Sequence, residues 1–301
     1  MIRLFSKVVF MSGTPMPNSP IELYPVLSSA APETINFMSR FDYARRYCAA
    51  YKKAFGWDMS GSSNEQELGR RVIAPHGRFM LRIKKSALNL PPKIEELFII
   101  SGGMTPRLAE LDSRIGAAYK SEDDLIKLRI SAKAGDEDLH MMSYRRLLGV
   151  EKVPRILPYI KSLLEEGKES ILIFAHHNEV VSLLAEALKK FKPFVITGGT
   201  PVGKRQALVK EFQSSGLKRP LFIGNYKAMG VGYTLTKATR AIFVEYDWTP
   251  GVNDQASDRI HRIGQKSSVL VQYVVYKDSL DKRVLEGVLR KRASVNKILE
   301  G

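Results

Sequence analysis

The sequence has little of what disulfide-rich and membrane-bound proteins require. It contains one cysteine, Cys48, in 301 residues, which excludes a disulfide framework and a cysteine-rich zinc site. No apolar run approaches the roughly twenty residues that a membrane-spanning helix needs, and residues 1–11 are too short an apolar stretch for a signal peptide. The sequence therefore predicts an intracellular protein with no membrane partner, no metal site and a buried thiol at Cys48.

Acidic residues are also scarce relative to basic ones. Lys and Arg number 47 against 31 Asp and Glu, which gives a formal net charge of +16. A basic excess of this size is typical of proteins that bind polyanions. The basic residues are spread along the whole chain, so the sequence names no single patch, and a merely soluble basic protein stays an alternative.

The first half of the chain has a mixed pattern. Residues 8–11 predict a short buried strand, and three prolines then precede a helix over residues 21–27. Residues 31–90 have helical spacing and basic character, interrupted by a Gly-Ser-rich loop at 60–63. After Pro91 and Pro92 come further predicted elements: a strand at 95–100, a helix at 106–130, a polar break at 135–138 and a helix at 153–166.

Strands and helices alternate regularly through the second half. Predicted strands lie at residues 171–174, 194–197, 221–224, 241–245 and 269–276, and predicted helices at 179–190, 204–213, 252–263 and 280–299. Such alternation indicates an α/β fold with a parallel sheet covered by helices on both faces. Ligand sites are then expected at the carboxyl ends of the strands.

The stretch QASDRIHRIGQ, residues 255–265, places Gln255, Arg259 and Arg262 at spacings that share one face of a helix. Guanidinium groups are permanently charged and bind phosphate oxygens through paired hydrogen bonds. We therefore predict that this face acts on a triphosphate, with Asp258 beside the first arginine. The alternative is a solvated basic helix end, the usual location for arginine.

The loop after the predicted strand 194–197 also resembles a phosphate-binding element. Gly198 is followed after four residues by Gly203 and Lys204, as in a phosphate loop, but Arg205 occupies the position where Ser or Thr binds magnesium. A self-contained nucleotide-binding lobe is thus one hypothesis. The other is that the glycines let the backbone approach a DNA phosphate closely, a contact that grips without reading sequence.

Residues 255–265 resemble, position by position, the last helicase motif of the Swi/Snf family of DNA-dependent ATPases in superfamily two. Further segments resemble that family's motifs in the same order: SGTP at 12–15, ELYPVL at 22–27, ILIFAHHNEVVSLL at 171–184, ITGGTPVGKRQALVKEF at 196–212, KAMGVGYTLTKA at 227–238 and YDWTPG at 246–251. Met229 replaces a family glycine, and Thr234 and Thr249 each replace an asparagine. GWDMSGSSN at 56–64 and FMLRIKKSALNLPPK at 79–93 narrow the resemblance to annealing helicases and fork-remodelling translocases.

The resemblance implies a RecA-like second lobe, preceded by a helical protrusion and the tail of a first RecA-like lobe. The implied boundaries are 1–30 for the tail with the third helicase motif, 31–150 for the protrusion and linker, 151–277 for the second lobe and 278–301 for a brace helix. In the family, a Gly-Lys-Thr phosphate loop and an Asp-Glu-x-His box precede the third motif, at which this sequence begins. We therefore expect the first lobe to come from another chain or a missing segment.

The resemblance also implies a role for each candidate site residue. Arg259 and Arg262 would be arginine fingers, with Gln255 beside them. Coupling to the ATP site is expected from Gly13, Thr14, Gly230, Gly232 and Asp258. Contacts with DNA are expected from Gly198, Gly199, Thr200, Lys204, Arg205, Thr234 and Trp248.

The implied activity is that of an ATP-dependent double-stranded-DNA translocase or annealing helicase, of which this chain is the carboxyl-terminal half. ATP and Mg²⁺ would be bound mainly by the first lobe, so we predict that the isolated chain does not hydrolyse ATP. The expected partners are double-stranded or forked DNA, without sequence preference, and that first lobe. The alternative is a non-catalytic DNA-binding or regulatory remnant.

Overall fold

The computed structural model describes residues 8–53, 56–73, 79–118, 141–167, 169–229 and 232–300. The chain divides into two compact units. The first unit comprises Met1–Asn89, Thr249–Gly251 and Val288–Gly301, and the second unit comprises Leu90–Trp248 and Val252–Gly287.

Short helices and one hairpin make up most of the first unit. The α-helices are α1 (Tyr24–Ala30), α2 (Arg40–Tyr47) and α3 (Glu65–Val72), and single-turn 3-10 helices lie at Pro20–Leu23, Pro32–Ile35 and Lys85–Leu88. Strands β1 (Tyr51–Lys53) and β2 (Gly56–Asp58) pair antiparallel. The core of this unit is aliphatic and aromatic and includes Leu27, Ile35, Tyr43, Tyr47, Cys48, Leu68, Val72 and Ile298.

One sequence prediction for the first unit is wrong and another is incomplete. Residues 8–11 form no strand, and their side chains are exposed. A strand is stable only when a neighbouring strand takes up its backbone hydrogen bonds, and the pattern of apolar residues alone cannot supply that partner. Residues 31–90, for which a helical pattern was predicted, also contain the β1–β2 hairpin. Its strands have three residues each, which is too short for a period-two alternation of polar and apolar residues to be recognised.

A six-stranded, all-parallel sheet forms the centre of the second unit. Its strands are β3 (Lys93–Ile100), β4 (Ile171–Ala175), β5 (Phe194–Ile196), β6 (Leu221–Asn225), β7 (Arg240–Phe243) and β8 (Val269–Tyr276), in the spatial order β3-β8-β7-β4-β6-β5. Strand β4 lies inside the sheet, and all five of its residues are buried, as expected for a parallel strand covered on both faces. The α/β class with a parallel sheet is confirmed.

The helices that follow β3 along the chain are α4 (Pro106–Ala118), α5 (Met141–Glu166), α6 (Asn178–Ala187), α7 (Val202–Ser214), α8 (Pro250–Ser257) and α9 (Leu280–Glu300), the last of which ends in the first unit. Helix α5 is anchored by Lys152, whose ammonium group donates hydrogen bonds to the Val244 and Val274 carbonyls. The same ammonium forms a buried ion pair of 2.7 Å with Asp281 at the start of α9. A buried charge is tolerated only when it is paired and hydrogen-bonded, as here.

Most predicted elements of the second unit are present with small shifts of their ends. The predicted helix 153–166 is the second part of a longer helix, α5, which begins at Met141 and continues through Pro154 and Pro158. The predicted helix 106–130 is described only as far as residue 118, and the predicted break at 135–138 lies outside the described residues. Strand β3 pairs with β8, so the compact unit begins at Leu90, while the boundaries inferred from the family stay a prediction.

Candidate functional site

The two candidate finger arginines do not lie on a helix, which corrects the sequence prediction of a helix over residues 252–263. Helix α8 ends at Ser257, and the chain then turns. The carbonyl of Arg259 accepts a hydrogen bond of 2.8 Å from the backbone N–H of Leu235, a residue outside the segment. That carbonyl therefore bonds to another part of the fold instead of extending the α-helical ladder.

Arg259 and Arg262 nevertheless converge. Each donates a hydrogen bond of 3.4 Å from Nη1 to the same acceptor, the carbonyl oxygen of Tyr233. Arg259 is 5% exposed. Burial is the main cause that lowers the pKa of Arg259, the positive charge of Arg262 lowers it further, and the carboxylate of Asp258 opposes both. Two like charges are thus held close together in a partly dehydrated place, which favours binding of an anion.

Asp258 and Gln255 lie close to the two arginines in the sequence and differ in their surroundings. Asp258 forms an ion pair of 3.7 Å with Lys93 at the start of β3. Lys93 also donates a hydrogen bond of 2.8 Å to the Ser257 hydroxyl at the end of α8. Gln255 is half-buried in the last turn of that helix. These contacts hold the end of α8 against β3, the edge strand of the sheet. They therefore fix where residues 258–264, which we call the arginine turn, begin.

Arg205 holds the loop that resembles a phosphate loop. Its guanidinium donates to the carbonyls of Thr200 (2.6 Å), Gly198 (2.8 Å) and Ala228 (3.3 Å). Arg205 therefore joins the loop after β5 to the turn after β6, and it offers no oxygen to a magnesium ion. The Lys204 side chain beside it is exposed.

The remainder of this loop is a tight turn. The Thr200 hydroxyl accepts a hydrogen bond of 3.0 Å from the Thr197 backbone N–H, and the Thr200 N–H bonds back to the Thr197 carbonyl at 3.1 Å. Gly198 and Gly199 form the exposed tip. The structure thus brings Gly198, Gly199, Thr200 and Arg205 together, and the Thr200 hydroxyl already has a partner within the turn.

The connection between β6 and β7 carries three further candidates. Gly232 has a φ of +81°, a backbone conformation that side chains other than hydrogen rarely permit. Thr234 is exposed. Gly230 lies outside the described residues. Because Tyr233 stands between Gly232 and Thr234, this connection supplies the carbonyl that both arginines contact.

Gly13 and Thr14 belong to the first unit, where they follow the exposed residues 8–11. Gly13 is exposed with open space around its Cα. The backbone N–H of Thr14 donates to the Ser12 hydroxyl at 3.1 Å, which closes a small turn. The proposed coupling role of these two residues stays a prediction.

Trp248 is buried, and the side chain of Arg145 lies over its ring. The Arg145 guanidinium lies 5.0 Å from the centre of its ring, and 8% of the residue is exposed. Tyr246 is likewise buried, and its hydroxyl donates to the Asp281 carbonyl at 2.6 Å. Core packing therefore accounts for both aromatic residues, and little of the Trp248 ring is available to contact DNA.

A buried polar network at the ends of β4 and β7 was missed by sequence reasoning. The Glu245 carboxylate accepts the backbone N–H groups of His176 (2.8 Å) and His177 (2.9 Å). His176 Nδ1 lies 2.6 Å from the Tyr226 hydroxyl, which also contacts Arg145 at 3.0 Å. Burial, followed by the charge of Arg145, lowers the pKa of His176 to about 3.

The same network continues through Asp247. The Tyr226 hydroxyl donates to Asp247 at 3.1 Å, and Asn253 on α8 exchanges two hydrogen bonds of 2.7 Å with the Asp247 backbone. The sequence signal was the apolar run AIFVEYD, whose acids follow a buried strand. In the described part of the chain, no group of three His, Cys, Asp or Glu side chains is placed to hold a metal ion. No described helix is long and apolar enough to cross a membrane.

Comparison with known proteins agrees with this arrangement. Residues 151–264 match the helicase conserved C-terminal domain. The chain is 35% identical over 286 residues, 93% of its length, to the SWI/SNF-related matrix-associated actin-dependent regulator of chromatin subfamily A-like protein 1 of Xenopus tropicalis. It is 30% identical over 305 residues, 98% of its length, to the mouse DNA annealing helicase and endonuclease ZRANB3. The chain belongs to the Swi/Snf family.

The Swi/Snf chain is short beside these relatives, since it spans 29% of the Xenopus protein and 27% of the mouse protein. Its fold is also similar to the Sulfolobus solfataricus SWI2/SNF2 ATPase core in complex with double-stranded DNA. That likeness has a TM-score of 0.50 at 20% identity and covers 96% of this chain and 61% of the other. The matched helicase domain contains Arg259, Arg262 and the Arg205 loop.

Met229 replaces a glycine of the family motif that residues 227–238 resemble. Its side chain is 1% exposed and packs against Gly224 at the end of β6. The backbone N–H of Met229 donates to the Asn225 carbonyl at 3.0 Å. The bulky side chain thus points into the core.

Proposed function

We propose that this chain is the carboxyl-terminal part of an ATP-dependent double-stranded-DNA translocase of the annealing-helicase type. Arg259 and Arg262 act on the γ-phosphate of an ATP molecule that a first RecA-like lobe presents. The observation that carries the proposal is the convergence of both guanidinium groups on the Tyr233 carbonyl. Family membership and the matched helicase domain support the same conclusion.

The electrostatics of the pair favour this role. The acceptor that both guanidinium groups share is a neutral carbonyl at 3.4 Å, whereas charged acceptors such as phosphate oxygens form shorter and stronger bonds with guanidinium groups. Negative charge that develops on the γ-phosphoryl oxygens relieves the repulsion between Arg259 and Arg262. Groups fixed in place before the reaction stabilise such charge without reorganising.

The nucleotide and its Mg²⁺ are assigned to the first lobe. Bound there, ATP supplies the phosphoryl group that is transferred to water. The phosphate-loop-like segment of this chain is a poor substitute, because Arg205 stands where a magnesium-binding hydroxyl is needed and its donors are engaged with carbonyls. The self-contained nucleotide-binding lobe is therefore the weaker alternative.

DNA is assigned to the exposed tip of the loop after β5. Gly198 and Gly199 leave the backbone N–H groups accessible to a phosphate, and Arg205 sets the shape of the tip from beneath. Contacts of this kind grip the DNA backbone without reading base sequence. The net charge of +16 strengthens such binding at low salt.

The arginines are tested by adding a first lobe in trans or fusing it ahead of Met1 and measuring DNA-stimulated ATP hydrolysis. We expect Arg262→Ala to lower the rate by about a thousandfold or more, with Arg259→Ala also impaired, and Arg262→Lys to rescue poorly because a point charge does not reproduce the planar fork. Arg146→Ala is the matched control, since Arg146 forms an exposed ion pair with Glu179. Full activity of either finger variant would refute the assignment.

The isolated chain gives a second test. Without a first lobe, we expect no ATP hydrolysis above a buffer control, whether or not DNA is present. A turnover of about one per second that is abolished by Lys204→Ala would instead support the self-contained lobe. If the reconstituted protein binds DNA but remains inactive, the non-catalytic remnant is the better description.

The DNA loop is tested with duplex binding at several salt concentrations. Arg205→Lys keeps the charge, but its single ammonium nitrogen does not reproduce the three separate nitrogens that contact the carbonyls, so we expect it to weaken binding nearly as much as Arg205→Ala. Lys204→Gln, which removes an exposed neighbouring charge, should weaken binding at low salt and lower the log-log salt slope by about 0.9 if Lys204 contacts one phosphate. If Arg205→Lys bound the duplex as tightly as the wild type, the charge at position 205 and not the shape of the loop would determine DNA affinity.

A further inference from the structure

The GWDMSGSSN motif, residues 56–64, has no role in the function proposed above. Its tryptophan, Trp57, is on β2 of the first unit and is 46% exposed. In the β1–β2 hairpin, Lys52 is the direct cross-strand partner of Trp57. Paired residues project from the same face of a hairpin, so the lysine lies beside the indole.

Helix α2 extends this face. The Phe41 ring meets the Trp57 ring edge to face, with centres 4.4 Å apart and planes at 83°. One helical turn further, the Arg45 guanidinium lies 5.8 Å from the centre of the Phe41 ring. The face therefore presents a cation, two aromatic rings and a second cation in a row, and we call Arg45, Phe41, Trp57 and Lys52 the aromatic–basic face.

The opposite face of the same hairpin is different. There Lys53 forms an ion pair of 2.8 Å with Asp58 and lies over the Tyr51 ring at 5.6 Å. Its charge is thus compensated within the hairpin. The exposed Tyr51 ring, at 48%, provides a natural control with similar exposure and the opposite orientation.

The rest of the motif holds the hairpin against α2. The hydroxyl of Ser63 and the amide of Asn64 donate to the Arg46 carbonyl on α2 at 2.8 and 2.7 Å. Gly61 approaches the helix end so closely that an added Cβ would lie 2.9 Å from the Cys48 carbonyl. The Ser60 backbone and hydroxyl both bond to Asp58. Trp57 is therefore held in place by its neighbours while its own ring stays half open to solvent.

We propose that the aromatic–basic face binds single-stranded DNA by stacking an unpaired base on Trp57, with Arg45 and Lys52 contacting the flanking phosphates. An exposed aromatic ring between cations is the arrangement that unstacked bases and their phosphates fit. Bases inside a duplex are already stacked and cannot reach the indole. The inference concerns the first unit and is independent of the arginine pair.

The experiment uses the full chain without ATP. Binding of an oligo-dT strand of about 15 nucleotides and of a duplex of equal length is measured by fluorescence anisotropy. We expect Trp57→Ala to lower single-strand affinity by about 5- to 100-fold, in line with the stacking energy of one base, and duplex affinity by less than twofold. Tyr51→Ala should change neither, and Trp57→Phe should retain part of the single-strand affinity.

Two further readouts bear on the mechanism. The chain has two tryptophans, and Trp248 is buried, so quenching of the exposed tryptophan by oligo-dT reports contact at Trp57. Lys52→Gln and Arg45→Gln should each lower the log-log salt slope for the single strand by about 0.7. Unfolding by urea, followed for every variant, identifies any that has lost its fold.

Three outcomes would overturn the proposal. If folded Trp57→Ala kept the single-strand affinity of the wild type, the aromatic–basic face would not bind single-stranded DNA, and a protein would be the better candidate partner. An equal loss for strand and duplex would indicate a general effect on DNA binding. Tighter binding of oligo-rU than of oligo-dT would reassign the face to RNA. None of these outcomes bears on the ATPase test of Arg262, so the two proposals fail separately.

Discussion

Glu245 holds His177 at two points, accepting hydrogen bonds from its backbone N–H at 2.9 Å and from its ring Nδ1 at 2.6 Å. Burial acts to raise the pKa of Glu245, but the hydrogen bonds and charge of His177 outweigh it, and the pKa is lowered overall. The carboxylate is therefore ionised inside the fold, and it joins the end of β7 to the segment after β4.

We expect Glu245→Gln to lower the free energy of unfolding by roughly 2 kcal/mol, because hydrogen bonds to a buried charged acceptor contribute about 1.5–3 kcal/mol. Urea unfolding at neutral pH measures the loss. Glu179→Gln is the control: Glu179 is in an exposed ion pair with Arg146, so its change should stay below about 0.5 kcal/mol. Equal effects in the two variants would contradict a structural role for Glu245.

His176 should make the protein sensitive to acid. Its pKa is about 3 in the fold and about 6.5 in an unfolded chain, so between these values the unfolded state binds the extra proton. Stability from this residue is complete above pH 6.5 and falls as the pH drops, by up to about 1.4 kcal/mol per pH unit. His176→Asn, which keeps a polar partner for the Tyr226 hydroxyl, should flatten this part of the profile when unfolding is followed from pH 7 to pH 4. A variant curve parallel to that of the wild type would count against the assignment.

Replacing Met229 with the glycine of the family pattern should lower the free energy of unfolding. The buried side chain fills space against Gly224, so Met229→Gly or Met229→Ala leaves a cavity that costs about 2–5 kcal/mol. Chemical unfolding measures the loss. Met229→Leu, which conserves volume, should cost less than about 1.5 kcal/mol. Greater stability in Met229→Gly would mean that the methionine strains the loop.

Cys48 should react only when the first unit opens. It is fully buried, and burial raises the pKa of its thiol to about 12. Little thiolate is present at neutral pH, and thiolate is the reactive form. We expect a thiol reagent to label the native chain far more slowly than the chain in urea. Rapid labelling of the native chain would show that this core opens readily.

The sequence predicts the second unit better than the first for a physical reason. Parallel strands covered on both faces are continuous apolar runs, and their ends were predicted within a few residues at β4, β6 and β8. The three-residue strands of the hairpin, by contrast, are too short for periodicity to register.

The prediction of a helix through Arg259 and Arg262 is wrong because tertiary hydrogen bonds override the helical spacing of these residues. The Gln265 side-chain amide donates to the carbonyls of Thr236, Ala238 and Ile260, which draws the end of the motif onto the β6–β7 connection. Partners nearly thirty residues away leave no local signal. The same holds for Glu245, whose partner His177 is 68 residues distant along the chain.

The pairing of β3 with β8 bears on how this protein can be dissected. The match to the helicase domain begins at residue 151, whereas β3 spans Lys93–Ile100. A fragment cut at residue 151 would strip β8 of its outer neighbour along eight paired positions and open the backbone donors and acceptors that face β3. Such a long, apolar edge strand is a template for strand addition by another molecule. The truncated lobe should thus self-associate or precipitate, and fragments meant for crystallisation or binding assays should begin before Lys93.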